Sequence, residues 1–233
     1  MSDPTPTGTL YIVATPIGNY EDMTIRALAV LRSADVIVYE ERREGEKLLA
    51  HLSVSGKEVG QLNEHNEASG SDFIMGCLAQ GRNVALISDA GTPVFADPGG
   101  SLIRRAIERG IRIVPIPGAS SLLPALVGSG LPTDRFLYYG FLSPKTSRRQ
   151  EELRSLAHEE RTIVLMDTPY RLVALLRNLT EVFGPERRAC VAFNLTMSGE
   201  KFYRDPVGKL LKFFEAQAMK GEFVIVIEGA RRI

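Results

Sequence analysis

The sequence predicts an α/β protein of two units, the first built on a mostly parallel sheet and the second on a mixed one, with a cleft expected between them. Three observations predict it. Short apolar runs alternate with stretches of helical period along the whole chain, the pattern of strands joined by helical crossovers. Glycine- and proline-rich loops directly follow three of those runs: Thr15-Pro-Ile-Gly-Asn19, Ser88-Asp-Ala-Gly-Thr-Pro-Val-Phe-Ala-Asp-Pro-Gly-Gly100 and Ile116-Pro-Gly-Ala-Ser-Ser121. Turn chemistry at Gly128-Ser-Gly-Leu-Pro-Thr-Asp134 divides the chain into units at about 1–128 and 132–233.

In the first unit the apolar run 10–14 is a strand. Asp22 is placed to cap a helix over 23–33, with Ile25, Leu28 and Leu31 on one face. Strands follow at 36–39, 57–60, 84–87 and 111–116. Helices are expected over 44–51, 71–80, 101–109, where Gly110 provides the stop, and 120–127. In the second unit 136–139, 162–166, 189–194 and 223–228 read as strands, and 148–158, 169–182 and 207–219 as helices. Ser198-Gly199 between Leu195-Thr196 and Lys201-Phe202-Tyr203 reads as the turn of a hairpin over 194–205, which makes this sheet mixed.

The chain has 233 residues, 44% of them apolar, enough for a substantial core. Lys plus Arg equals Asp plus Glu at 28 each, so net charge argues for neither nucleic acid nor membrane, and any site for a polyanion is local. Cys77 and Cys190 lie in apolar surroundings without metal-ligand spacing, as core residues of a reducing compartment do. No apolar stretch approaches the roughly 18 residues of a membrane span. Met1-Ser-Asp-Pro-Thr-Pro lacks a signal peptide's basic and apolar regions, so a soluble cytoplasmic protein is expected.

The three loops stand where open α/β sheets bind ligands, at the carboxyl ends of strands. They are not phosphate loops: Gly56-Lys57 is followed by Glu58 and Gly208-Lys209 by Leu210, where a hydroxyl residue is needed. Nor does Thr15-Pro-Ile-Gly-Asn19 supply the dinucleotide fingerprint. Small residues with Asp89 and the hydroxyls of Thr92, Ser120 and Ser121, and no lysine, suit an uncharged or cationic ligand with hydrogen-bonding ends. S-adenosylmethionine fits that description.

Leu10-Tyr-Ile-Val-Ala-Thr-Pro-Ile-Gly-Asn19, Leu86-Ile-Ser-Asp-Ala-Gly-Thr-Pro93 with Asp97-Pro-Gly99, Val114-Pro-Ile-Pro-Gly-Ala-Ser120 and Ser129-Gly-Leu-Pro-Thr-Asp-Arg-Phe136 closely resemble motifs of the tetrapyrrole methylase superfamily. Within it they are most similar to the branch of 2′-O-cytidine methyltransferases of small-subunit ribosomal RNA. Glu64-His-Asn-Glu67, Gly140-Phe-Leu142, Thr168-Pro169 with Arg171, Val182-Phe-Gly-Pro185 and Gly221-Glu-Phe-Val224 extend the resemblance over about residues 9–230. It implies a two-domain methylase of the class III type, usually a homodimer, with S-adenosylmethionine in the interdomain cleft and no metal. It also implies cofactor contacts from Pro16, Ile17 and Gly18, from Asp89, Ala90, Gly91 and Thr92, and from Gly118, Ser120 and Ser121. Met166 and Phe193, Asn194 and Leu195 correspond to positions that enclose the adenine and methionine ends.

The resemblance weakens on the acceptor side. The family's Glu-Asp-Thr-Arg is Glu40-Glu-Arg-Arg43 here, its Glu-Ser-Pro-His-Arg is Asp167-Thr-Pro-Tyr-Arg171, and its Arg-Glu-Leu-Thr-Lys is Phe193-Asn-Leu-Thr-Met197. A ribose hydroxyl is a weak nucleophile, so its methylation calls for a base, with Glu40, Glu41, His65 and Glu67 as candidates. RNA phosphates call for local cations, with Arg43, Lys145, Arg148, Arg149 and Arg171 as candidates. The readings left open are this ribosomal RNA methylation, a paralogous methylase of another RNA, a tetrapyrrole or a small molecule, and a non-catalytic binding domain.

Overall fold

The computed structural model describes residues 7–230, and contacts divide the chain into Met1–Ser120 and Ser121–Ile233. In the first unit β1 (Thr9–Val13), β2 (Val36–Tyr39), β3 (Glu58–Gln61), β4 (Val84–Ile87) and β5 (Arg112–Ile116) form a parallel sheet in the order β3-β2-β4-β1-β5. The crossovers are α1 (Ile25–Ser33), α2 (Arg42–His51), α3 (Glu67–Ala79) and α4 (Gly100–Glu108). Side chains alternate in direction along a strand, and both faces of this sheet are covered. Leu10, Val36, Val38, Val84 and Leu86 pack with Ile74 and Leu78 of α3 and Leu102 of α4, while Val13, Ile37, Ala85 and Ile87 pack with Ala27 and Leu31 of α1 and Leu48 of α2. That double burial is why the central strands Val-Ile-Val-Tyr and Val-Ala-Leu-Ile are apolar without interruption. Edge strand β5 carries exposed Arg112 and Pro115, which discourage pairing with another strand.

The second unit contains α5 (Leu122–Ser129), β6 (Phe136–Phe141), α6 (Thr146–Ser155), β7 (Thr162–Met166), α7 (Leu172–Phe183), β8 (Arg188–Phe193), β9 (Lys201–Pro206), α8 (Val207–Gln217) and β10 (Phe223–Ile227). Its sheet runs β6-β7-β10-β8-β9, parallel between β6 and β7 and antiparallel elsewhere, so it is mixed as expected; the hairpin differs from the expected 194–205, since its arms are β8 and β9 and residues 194–200 form the connecting loop. One face packs Ile163, Leu165, Val191, Ile225 and Ile227 against Leu153, Leu175, Leu176, Leu179, Leu210 and Phe214 of α6, α7 and α8.

Two expectations need correction. Helix 120–127 was assigned to the first unit, but α5 belongs to the second, packing against β8, β9 and β10, whose Cys190, Ala192, Val224 and Val226 are buried on the face opposite the main core. Gly128 lets the Phe202 ring of β9 lie against the helix, and the Arg204 guanidinium donates to the Gly128 carbonyl, a cation at a helix carboxyl end. The cap of α1 is Thr24, whose hydroxyl accepts from Ala27 N at 3.0 Å, and Asp22 lies in the preceding 3-10 turn. Among the described residues no helix is long and apolar enough to cross a membrane.

Candidate active site

In the first sheet the chain leaves β2 toward β3 on one side and β4 toward β5 on the other. Connections from these neighbouring strands therefore diverge, opening a crevice at their carboxyl ends. Glu40 follows β2 and Asp89 follows β4, and the Glu41 amide donates to Asp89 Oδ1 at 3.1 Å across this gap.

The three glycine-rich loops meet beside it. Thr15 and Gly91 exchange both backbone hydrogen bonds, at 2.8 and 3.0 Å, and the buried Thr15 hydroxyl donates to the Ser88 carbonyl at 3.1 Å. The third loop closes on the first because Gly118 has no side chain: a Cβ there would lie 3.0 Å from Ala14 Cβ. A Cβ on Gly91, where φ is +84°, would meet Ile17 of the first loop and the Ala119 carbonyl of the third. A side chain at this one position of the second loop would thus meet both of the other loops. Pro16 is buried, whereas Gly18, Ala90 and Thr92 are exposed and Ile17 and Ser120 half-buried. Of the candidate residues, the structure sets Gly91 beside Ile17 and places Gly118 against Ala14 at the start of the first loop; Ser121 falls in the second unit.

The loops hold a cluster of carboxyl groups. Burial, then the charges of Asp97 and Asp89, push the Glu40 carboxyl up to about 7. Asp89 and Asp97 are also raised, chiefly by partial withdrawal from water, against the lowering effect of the Glu41 amide on Asp89. Asp97, quoted in the sequence motif but not assigned to the site, thus belongs to it electrostatically. A carboxyl group poised near neutrality accepts a proton well at physiological pH, and a cluster of carboxyl groups favours a cationic ligand.

The other candidate bases are placed differently. Glu67 Oε1 accepts from Ser101 Oγ at 2.7 Å and from Gly99 N at 3.2 Å, holding the amino end of α4, and these bonds keep its carboxyl below the usual range. It serves as a helix cap supplied from a distant segment, and a carboxylate so stabilised is a poor base. Glu67→Ala is expected to lower stability by about 1 kcal/mol, the ordinary worth of a cap, measured by urea unfolding; Glu67→Gln is expected to retain part of it. His65 is exposed on the loop before α3, 3.6 Å from Glu64.

In the second unit Met166 ends β7 and accepts a hydrogen bond from Tyr138 Oη at 3.4 Å. Phe193 and Leu195 are buried, and Asn194 opens the β8–β9 loop. Five non-glycine residues among those described have φ in the left-handed region, and three, Val94, Asn194 and Thr196, lie in loops the resemblance assigns to the cofactor. Such strain, largest for β-branched Val94 and Thr196, gathers at ligand clamps. Of the candidate cations, Arg43, Lys145 and Arg148 are exposed, with Arg148 3.4 Å from Glu152. Arg149 turns inward, its Nε donating to Asn178 Oδ1 at 2.8 Å, and so does not join a phosphate-facing cluster. Arg171 pairs with Asp167 at 3.3 Å.

Comparison with known proteins agrees with this architecture. A model of the tetrapyrrole (corrin/porphyrin) methylases matches residues 9–211. The chain is 45% identical over 223 residues to "Ribosomal RNA small subunit methyltransferase I" of Synechocystis sp. (strain ATCC 27184 / PCC 6803 / Kazusa), covering 96% of this chain and 80% of that protein. It is 41% identical over 224 residues to the protein of the same name from Escherichia coli O157:H7, covering 95% and 78%. Among solved structures, uroporphyrin-III-C-methyltransferase from Thermus thermophilus superposes with a TM-score of 0.66 at 23% identity, covering 95% of this chain and 94% of that one, a likeness that bears on the fold alone. By its family match and by its identity to these relatives over nearly its whole length, the chain is a methyltransferase and belongs to the tetrapyrrole (corrin/porphyrin) methylase family.

Proposed function

We propose that this methyltransferase uses S-adenosylmethionine to methylate the 2′-hydroxyl of a cytidine in small-subunit ribosomal RNA, as a homodimer in the cytoplasm. The observation that carries the donor half is the junction of the three loops around Gly91, next to the carboxyl group of Glu40. The residues there fit the cofactor: closely approaching backbone, small side chains, and carboxylates suited to a cation. Pro16, Ile17, Gly18, Asp89, Ala90, Gly91, Thr92, Gly118 and Ser120 of the first unit's loops would hold it. When bound it supplies a methyl group activated by an adjacent sulfonium.

The protein's own part is orientation and proton removal. The loops fix the donor so that an acceptor oxygen is aligned for in-line attack. Glu40 takes the acceptor's hydroxyl proton, since it stands at the crevice mouth with its proton affinity tuned near neutrality. Arg43, Lys145, Arg148 and Arg171 meet backbone phosphates. The ribosomal RNA acceptor is supported by the names of the relatives, and a reducing compartment by free buried Cys77 and Cys190.

Calorimetry with S-adenosylmethionine tests the donor, and binding is the expected result. Incubation with labelled cofactor and unmodified small ribosomal subunits, followed by mapping of the methyl group, tests the acceptor. Label found only on small molecules would remove the RNA from the reading and keep the methyl donor. Light scattering in solution tests the dimer.

A further inference from the structure

Three buried side-chain polar atoms among the described residues have no hydrogen-bond partner: Ser71 Oγ, Asp167 Oδ2 and Thr196 Oγ1. Two of them share one end of the second sheet. β7 and β8 both run antiparallel to β10, with Met166 opposite Val224 and Phe193 opposite Phe223. Asp167 and Thr196 follow the carboxyl ends of those two strands. Buried polar groups are satisfied with few exceptions, and two exceptions on one sheet end call for an explanation.

Asp167 is the stronger of the two. Its side chain is 1% exposed. Oδ1 performs all of its work within the chain, accepting from Thr168 N at 2.8 Å and from Arg171 Nη1 at 3.3 Å. Oδ2 performs none. Were holding the turn its whole task, an asparagine amide would serve as well without placing a carboxylate out of water. Its neighbours Thr168 and Tyr170 are exposed, so the orphan oxygen lies in a segment that borders solvent. Arg171, one third exposed, braces the carboxyl group from the 3-10 turn Pro169–Arg171 that leads into α7.

We propose that Asp167 is a ligand-binding residue whose Oδ2 accepts a hydrogen bond from an N–H or O–H donor of a nucleoside held at the carboxyl ends of β7 and β8. That the ligand is a nucleoside rests on the function proposed above. Both the adenosine of the methyl donor and the acceptor nucleoside present amine and hydroxyl donors.

Asp167→Asn tests it, because the amide keeps an acceptor for Thr168 N and replaces the free oxygen by a donor. S-adenosylmethionine affinity is read by calorimetry, the acceptor KM with small ribosomal subunits, and stability by thermal melting. One of the two constants is expected to weaken about 10- to 100-fold, the worth of a hydrogen bond to a charged group, with melting unchanged. A change in cofactor Kd alone assigns the oxygen to adenosine; a change in KM alone assigns it to the acceptor. Unchanged constants overturn the proposal, and so do losses that only follow a fall in melting temperature. Arg171→Gln, at a more exposed position, is expected to weaken the same constant less; no effect there overturns the bracing role. A wild-type chain that binds no S-adenosylmethionine overturns the proposed function and the nucleoside assignment together, whereas binding by wild type and variant alike, with KM equal, overturns only Asp167.

Discussion

Replacing Glu40 by glutamine is expected to lower kcat for methyl transfer by about 10²- to 10⁴-fold, the usual contribution of a positioned general base. Cofactor affinity is expected to change by less than about fivefold, because one partly solvated charge is worth little. The pH profile adds a second readout. Since burial and two neighbouring carboxylates raise Glu40 to about 7, wild-type activity should climb with pH and reach half its plateau near pH 7, and the glutamine variant should lose that limb. Stability responds in the opposite sense. A carboxyl group raised on folding favours the native state below its unfolded value of 4.5, and that contribution is lost as pH rises through about 7. Glu40→Gln should therefore be the more stable protein at pH 8, by about 1 kcal/mol once screening at this half-open position is allowed for, and the difference should vanish near pH 4. Loss of activity with the pH limb intact would assign the proton to another group.

The parts of the fold that the sequence revealed are those governed by local chemistry. Strands Val36–Tyr39, Val84–Ile87 and Thr162–Met166 were read to the residue because both faces of each are covered, and turn residues bound the apolar runs. Glu40 was legible as a carboxylate following a buried strand. What escaped depends on partners far away in sequence. The turn at residues 128–134 has boundary chemistry, yet the ownership of α5 is decided by which sheet face lacks a cover, and only the tertiary structure reveals that. Arg149 looks identical to Arg148 in a charged helix until Asn178 of α7 draws it inward. Glu67 stands among the four candidate bases in the sequence because the Ser101 hydroxyl that claims it lies 34 positions on. Asp167 carried a signal only as a departure from the family pattern; its unpaired oxygen is a fact of packing. The donor loops were therefore readable from backbone-type residues, glycine and proline, whose roles are local. The acceptor side was not, because it is built from long side chains whose direction the tertiary structure sets.

Gly91→Val is expected to weaken S-adenosylmethionine binding about 100-fold, equivalent to ~2.7 kcal/mol, and Gly91→Ala about tenfold. The two substitutions separate two effects. Space for one carbon exists, since a Cβ would stand 3.5 Å from Ile17 Cγ2 and 3.9 Å from the Ala119 carbonyl, both ordinary contacts. Alanine therefore reports the backbone, which at φ +84° costs a side chain about 1–2 kcal/mol. Relief of that strain would rotate the peptide groups that exchange hydrogen bonds with Thr15, loosening the first loop from the second. Valine adds two methyl groups directed at Ile17 and the third loop, and a β-branched residue tolerates positive φ poorly. Gly110→Ala is the control. There φ is +65° and nothing lies within 4 Å of the added carbon, at the turn between α4 and β5, the opposite end of the sheet from the loops. It should lower the melting temperature about as much as Gly91→Ala while leaving the Kd for S-adenosylmethionine unchanged. Equal loss of affinity in both alanine variants would mean that global strain, and not the junction of three loops, governs binding, and a Gly91→Val protein with wild-type affinity would remove the second loop from the site.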